Sequence, residues 1–362
     1  MNKPGKLASF FLLSPLSLLY GSITGIRNTL FNLKILPSQE FNTPIICIGN
    51  IAVGGTGKTP HSEYIIKELE KDFKIAYVSR GYKRKTRGFQ LASLDSTSRE
   101  IGDEARQIKQ KYPNTIVAVD GNRRRAINKL EKSANAPDII ILDDAFQHRY
   151  VKADINILLT DEEKPFYEDN IMPLGRLREY SSSKNRANII IVTKCNPQIT
   201  PIEKRIILNN LGLKPYQSLY FTTMKYGDIK PVFSKDVSSI ESFSQYTSYI
   251  VTGIAKPKPL LERCKKIFKK THHISFPDHH NFTKNDIKNI QDKFVSDSSQ
   301  HKCILTTEKD AMRLQGMDLP EEIKKSMYYI PIEPSFIDNN EEKLIKWIKE
   351  YVTKNKEMRI LY

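Results

Sequence analysis

Pro44-Ile45-Ile46-Cys47-Ile48-Gly49-Asn50-Ile51-Ala52-Val53-Gly54-Gly55-Thr56-Gly57-Lys58-Thr59-Pro60-His61-Ser62 is the stretch from which the fold is read. Ile45 to Ile48 is a short apolar run and reads as a buried parallel strand. Gly54, Gly55 and Gly57 follow, then Lys58 and Thr59, then a helical pattern with Tyr64, Ile65, Ile66 and Leu69 on one face. Strand, glycine loop, Lys-Thr and helix in that order make a phosphate-binding loop, here Ala52 to Thr59. Glycines let backbone N–H groups turn onto phosphate oxygens, and the helix N-terminus adds partial positive charge. Lys58 is expected to reach the β- and γ-phosphates, and the Thr59 hydroxyl to ligate Mg²⁺. Pro60 suits the first helical turn. Ala52 stands where the usual pattern has its first glycine, and a chance glycine turn is the competing reading.

Outward from this loop the chain alternates strands and helices. Lys74–Ser79, Thr115–Val119, Asp138–Asp144, Ile155–Leu159 and Ile189–Val192 are strand candidates, with a helix opening at Gly102-Asp103-Glu104 and another after Arg123-Arg124-Arg125. This alternation predicts a doubly wound, mostly parallel sheet with ligands at the strand C-terminal ends. Tyr216 to Met224 reads as extended linker strands. A second α/β unit follows, with strands at 248–253, 273–276 and 302–307, helices at 258–269 and 285–297, and a lysine-rich helix at 340–354. The expected division is 1–36 (N-terminal segment), 37–215 (phosphate-loop core) and 216–362 (C-terminal α/β domain).

The length of 362 residues suits two domains, and the net charge of +16 points to a polyanionic partner. Cys47, Cys195, Cys264 and Cys303 form no Cys-x-x-Cys pair and read as buried reduced thiols, as in a cytoplasmic compartment. Leu7 to Tyr20 is apolar but interrupted by Ser14 and Pro15, too short for a comfortable span. An amphipathic segment lying on the inner membrane surface, or packed on the core, is the favoured reading.

Asp143-Asp144 at the tip of the run Ile139–Leu142 reads as the acidic partner of the loop, placed to hold Mg²⁺. A solvated strand end is the alternative. Asp103-Glu104 is explained by helix capping, or by activation of a hydroxyl nucleophile. Asp278-His279-His280 lacks a third ligand at zinc spacing, and one of its histidines facing the phosphates is the sharper idea. Thr193-Lys194-Cys195-Asn196 resembles a guanine-reading element, but an amide at Asn196 cannot accept from both guanine donors, which favours ATP. The basic stretches Arg80–Arg87 and Arg123–Arg125 lack interleaved aromatics, so a second phosphorylated molecule is expected there rather than nucleic acid.

Taken together these motifs resemble the tetraacyldisaccharide 4′-kinase family of the lipid A pathway. The matching segments are Gly49-Asn50, Val53 to Pro60, Ser79-Arg80-Gly81-Tyr82, Gly102-Asp103-Glu104, Asp143 to His148, Gly175 to Glu179, Val251 to Ala255, Phe276 to His279 and Thr307 to Ala311. The apolar N-terminus resembles the family's membrane-associating helix. The resemblance implies transfer of the γ-phosphate of ATP to the 4′-hydroxyl of a tetraacylated disaccharide 1-phosphate, at the cytoplasmic face of the inner membrane. It implies Asp103 as base with His279 as its pair, Glu104, Asp143 and Asp144 beside Mg²⁺, and Tyr82 near the nucleotide. Arg80, Arg123, Gln147 and Arg178 are the expected contacts to the anionic sugar headgroup of the lipid. Leu174-Gly175-Arg176 and Tyr180 depart from the family's usual residues. The runners-up are a membrane-docked nucleotide hydrolase that acts as a protein switch, and a nucleic-acid-dependent one.

Overall fold

The computed structural model describes residues 4–233, 242–278 and 280–360, with side chains over 13–354 of that range. Its larger sheet begins with β1 (Ile45–Gly49), β2 (Ile75–Ser79), β3 (Gln90–Leu91), β4 (Ile116–Val119), β5 (Ile139–Asp143), β6 (Ile155–Asp161), β7 (Ile189–Thr193) and β8 (Ser218–Tyr226). A smaller sheet of five strands holds β9 (Lys230–Pro231), β10 (Thr247–Thr252), β11 (Lys270–Ser275), β12 (Lys302–Thr307) and β13 (Met327–Ile330). The chain then returns to the larger sheet as β14 (Ile332–Phe336), which completes nine strands in the order β14-β8-β7-β6-β1-β5-β2-β4-β3.

Strand β1 sits between β5 and β6, parallel to both, at the point where the winding reverses. All five residues of β1, β2 and β5 are buried, as expected for strands covered on both faces. Ile45, Cys47, Ile140 and Leu142 feed the core on one face, and Ile46, Ile48, Ile139 and Ile141 the core on the other. The alternation of side chains along each strand divides one apolar run between two cores. The predicted strands match the observed ones to within a few residues, and Cys47, Cys195, Cys264 and Cys303 are buried free thiols.

The expected domain division at 215/216 does not follow the sheets. Ser218–Tyr226, read from sequence as linker strands, is β8 of the larger sheet, hydrogen-bonded in parallel to β7 and antiparallel to β14. The last helix, Glu341–Ile360, buries Leu344, Ile345, Ile348 and Val352 in the larger core. The smaller lobe is therefore an insertion between β8 and β14, and residues 216–226 and 332–360 belong to the larger lobe. The reason is physical: β7 has an unpaired edge until β8 covers it, and β8 in turn until β14 does.

Around these sheets lie α1 (Pro4–Asn32), α2 (Lys58–Leu69), α3 (Ser98–Ile101), α4 (Asp103–Lys111), α5 (Arg123–Glu131), α6 (Pro201–Leu211), α7 (Lys258–Ile267), α8 (Lys284–Val295) and α9 (Glu308–Leu314). The lobes meet where α4 lies between α2 and α9. There Lys111 Nζ is shared by Glu63 at 2.6 Å and Glu308 at 3.2 Å, and Gln107 donates to Glu63 at 2.7 Å. Burial, and then the neighbouring Glu308, raise the Glu63 carboxyl from 4.5 to about 7. A raised acid takes up a proton on folding, so its contribution to stability declines as pH rises from about 4.5 to about 7. Glu63→Gln keeps the acceptor for Gln107 and cannot ionise. Its melting temperature relative to the parent should therefore be higher at about pH 8 than at about pH 5, read by calorimetry. A constant difference across that window would contradict the coupling.

Candidate active site

The loop after β1 is pinned from three sides. Val53 N donates to Arg176 O at 2.8 Å, Arg178 N donates to Ile51 O at 2.8 Å, and Ala52 bridges to Leu177. Asn50 Nδ2 donates to Thr56 Oγ1 at 2.9 Å, Thr193 Oγ1 donates to Thr56 O at 2.9 Å, and Lys194 Nζ donates to Gly55 O. Gly54 (φ 117°) and Gly57 (φ 85°) occupy backbone regions that favour glycine. A Cβ on Gly54 or Gly55 would meet nothing within 4 Å, so the inner wall of the loop is open cradle. Gly57 caps α2, whose first residues are Lys58 and Thr59. His61 locks that turn. Its Nδ1 faces Gly57 O at 2.7 Å and its Nε2 faces Thr222 Oγ1 at 3.0 Å, while burial lowers the ring to about 4 and keeps it neutral.

Asp143 and Asp144 end β5 beside this loop. Asp143 is 1% exposed. Tyr77 donates to its Oδ2 at 2.8 Å, and the Ser62 hydroxyl lies 3.5 Å from Oδ1. Burial, with Glu104 and Asp144 nearby, raises its carboxyl to about 7 against the pull of Lys58. Asp144 has a left-handed backbone (φ 45°) that turns its side chain toward Lys58 at 3.6 Å and Arg178 at 3.0 Å. Burial raises Asp144, but those two cations outweigh it and hold the carboxyl low. Lys58, Asp143 and Asp144 thus share one crevice. Gln147 belongs to the same wall, accepting from Arg178 at 3.4 Å and donating to Asn50 O at 2.8 Å.

Asp103 and Glu104 open α4 on the far side. Arg313 donates to Asp103 Oδ2 from Nε at 2.8 Å and from Nη2 at 2.6 Å. Glu104 is 4.0 Å from Lys309, and its charge is felt by Asp143 and Tyr77. Burial lowers Lys309, which also senses Asp278. His279, the expected pair of Asp103, lies outside the described residues. Arg123 is buried and spends Nη1 on the carbonyls of Asp120 and Gly121 at 3.0 and 3.4 Å. Arg80 and the exposed Tyr82 line a basic cleft of about 550 Å³ with Lys83, Arg84 and Arg125. Asn196, weighed as a base reader, is exposed and accepts from Gln198 N at 3.0 Å to close a turn.

Residues 9–353 match the family model LpxK, described as tetraacyldisaccharide-1-P 4′-kinase. The chain belongs to this family. It is 46% identical to a tetraacyldisaccharide 4′-kinase of Bacteroides thetaiotaomicron over 95% of this chain and 93% of the relative. It is 41% identical to one of Flavobacterium johnsoniae over 94% of this chain and 97% of the relative. A crystal structure of Aquifex aeolicus LpxK in complex with ATP superposes with a TM-score of 0.72 at 26% identity, covering 95% of this chain and 99% of that one. The protein is accordingly an ATP-dependent phosphotransferase with an alcohol acceptor, a 4′-kinase of lipid A biosynthesis.

The residues of this tetraacyldisaccharide 4′-kinase fit ATP and Mg²⁺. The open glycine cradle accepts a triphosphate tail, and Asp143, whose carboxyl burial and then the acids around it raise to about 7, is a site that a divalent cation would relieve. Among the described residues no three His, Cys, Asp or Glu side chains converge as a metal cage. That suits Mg²⁺, which takes one or two carboxylates and completes its shell with phosphate oxygens and water.

Sequence reading missed Tyr77, Ser62, Lys194 and Arg313. The signal for Tyr77 was available: a phenol inside the run Ile75–Val78 must find a partner when buried. Tyr77→Phe leaves Asp143 Oδ2 without its short donor. It should lower stability by about 1–3 kcal/mol in urea unfolding, and an unchanged midpoint would show that the bond contributes nothing.

Proposed function

We propose that the chain performs its transfer with the residues gathered in this crevice and does so at an anionic bilayer surface. The observation that carries the reading is the common crevice of Lys58, Asp143 and Asp144, with the opening turn of α4 facing it. Lys58 and the N–H groups of Ala52 to Gly57 cradle the phosphates. Thr59, Glu104, Asp143 and Asp144 form the metal side. Bound ATP supplies the phosphoryl group, and Mg²⁺ neutralises its oxygens.

Asp103 accepts the proton of the 4′-hydroxyl, supported by His279. The alcohol oxygen forms its bond to phosphorus as the bond to the ADP oxygen breaks. A sugar alcohol is a weak nucleophile, and a positioned carboxylate contributes about 10²- to 10⁴-fold. Arg80, Gln147 and Arg178 face the acceptor headgroup, and Tyr82 the nucleotide; Arg123, expected in the same role, is instead turned inward onto the carbonyls of Asp120 and Gly121. Of these, Arg178 and Gln147 lie nearest the Asp144 carboxylate.

The second part rests on α1. Its inner face mixes polar bonds with aromatic packing: Ser17 bonds Ile171 O, Tyr20 donates to Arg178 O at 3.2 Å, Asn28 donates to Glu179 at 2.8 Å, and the Phe31 ring is buried. Its outer face carries Leu16, Leu19, Ile23 and Ile26, all more than half exposed and spaced to form one stripe. Among the described residues no helix is long and apolar enough to cross a membrane. A stripe of this kind, in a chain of +16 charge, suits a helix lying in the interface of an anionic leaflet. The natural face for such a pathway enzyme is the cytoplasmic side of the inner membrane.

Lys58→Ala should abolish label transfer from γ-labelled ATP to tetraacyldisaccharide 1-phosphate, and Asp103→Ala should lower it by about 10²- to 10⁴-fold, while circular dichroism stays unchanged in both. Robust transfer by either variant removes the role given to that residue. Leu19→Glu with Ile23→Glu should end co-flotation with phosphatidylglycerol vesicles. Undiminished flotation would mean that another surface docks.

A further inference from the structure

The motifs Val251–Ala255 and Thr307–Ala311 lie in the smaller lobe and take no part in the roles above. Both converge on Asp310, which is fully buried. Its Oδ2 accepts from Gly253 N at 2.8 Å and from the Thr307 hydroxyl at 2.8 Å, and its Oδ1 accepts from Arg313 Nη1 at 2.8 Å. Thr307 in turn caps α9 by accepting from Asp310 N at 3.1 Å. A Cβ on Gly253 would come within 3.1 Å of Asp310 Oδ1 and 3.3 Å of Pro277 O, so a larger residue there would press on the carboxylate. A buried carboxylate with donors on both oxygens holds one orientation.

Asp310 and Arg313 are three residues apart on one face of α9, and the Arg313 side chain is 6% exposed. Holding Nη1 of a planar guanidinium fixes the direction of its other N–H groups. Those groups, Nε and Nη2, both meet Asp103 Oδ2, across 210 residues of sequence and across the boundary between the lobes. Among the described residues Asp103 Oδ1 has no hydrogen-bond partner. Other contacts press the lobes together without touching Asp103: Arg106 Nη1 donates to Met312 O at 2.6 Å and Ser98 Oγ to the same carbonyl at 3.4 Å.

The geometry points to Arg313 as a positioning residue for phosphoryl transfer, set by Asp310 in the smaller lobe to aim the Asp103 carboxylate of the larger one. The inference rests on the reading of Asp103 as the proton acceptor. With Oδ2 occupied by the guanidinium, Oδ1 is the oxygen that meets the acceptor hydroxyl. Aim then depends on how the lobes are docked, because the strut crosses between them. Misplacing a reacting group by about 1 Å costs about 10²-fold.

The test is steady-state transfer from ATP to tetraacyldisaccharide 1-phosphate by the full chain carrying Arg313→Ala, Arg313→Lys, Asp103→Ala, or Asp103→Ala with Arg313→Ala. Arg313→Ala should lower kcat by about ten- to a hundredfold and leave the KM for ATP within about twofold, with Arg313→Lys recovering part of the loss. In the Asp103→Ala background, Arg313→Ala should change the residual rate by less than about twofold, since the strut acts through the missing carboxylate. A parental kcat in Arg313→Ala overturns the inference, and so does a full-sized additional loss in the double variant. Should Arg313→Ala not fold, Arg313→Lys decides alone: it keeps the charge without the fork, and an unchanged kcat overturns the strut. Full transfer by Asp103→Ala removes the base reading itself. Lowered transfer in Asp103→Ala with parental transfer in Arg313→Ala removes only the strut.

Discussion

A carboxylate at the end of a fully buried strand is the costliest group in this protein, and the site is built around accommodating it. Unpaired, a charge as deep as Asp143 would be untenable. The sheet order brings β2 beside β5, which puts the Tyr77 hydroxyl on Oδ2, and α2 packs over β5, which brings the Ser62 hydroxyl toward Oδ1. Lys58, from the first turn of α2, supplies the nearby positive charge. Two neutral donors and one shared cation leave Asp143 short of compensation while Asp144 and Glu104 press on it. The deficit is the electrostatic preference of the crevice for a divalent cation.

The parts of the molecule that were legible in the sequence share a property: their signal is local. Ile45–Ile48 followed by Gly-Lys-Thr identifies β1, the loop and α2 within twenty residues, and Ile139–Asp144 identifies the strand beside it. What escaped depends on pairing at a distance. Nothing in Tyr216–Met224 alone says that it joins β7, and nothing in residues 332–336 says that the chain comes back to pair with β8. Arg313 was invisible for the same reason, since its meaning lies in a carboxylate 210 positions away. The departures from family pattern also acquire a physical sense. Tyr180, where the family favours proline, lays its ring against Gly21 and Gly25 of α1, and at Gly21 a Cβ would collide with the phenol oxygen.

Helix α1 departs from an ordinary surface helix, since its inward side mixes Ser17 and Gly21 with the ring of Phe31 while leucines and isoleucines point outward. Its inward contacts are made with the segment that also backs the phosphate loop. Tyr20 bonds Arg178 O, Arg27 bonds Gln147 O at 3.0 Å, and Arg178 itself holds Asp144. Helix α1 and the Asp144 carboxylate are thus separated by a single arginine. The outward stripe of α1 and the geometry of the crevice are parts of one packed unit.

The smaller lobe hangs from the larger by two adjacent crossings, β8 to β9 and β13 to β14. At the crossing Gly227 N donates to Pro331 O at 2.9 Å, so the two legs are laced together. A body suspended from a single peptide can swivel, whereas one carried on a laced pair can only nod. The paired legs thus oppose rotation of the smaller lobe about its attachment and favour the pose in which α9 faces α4.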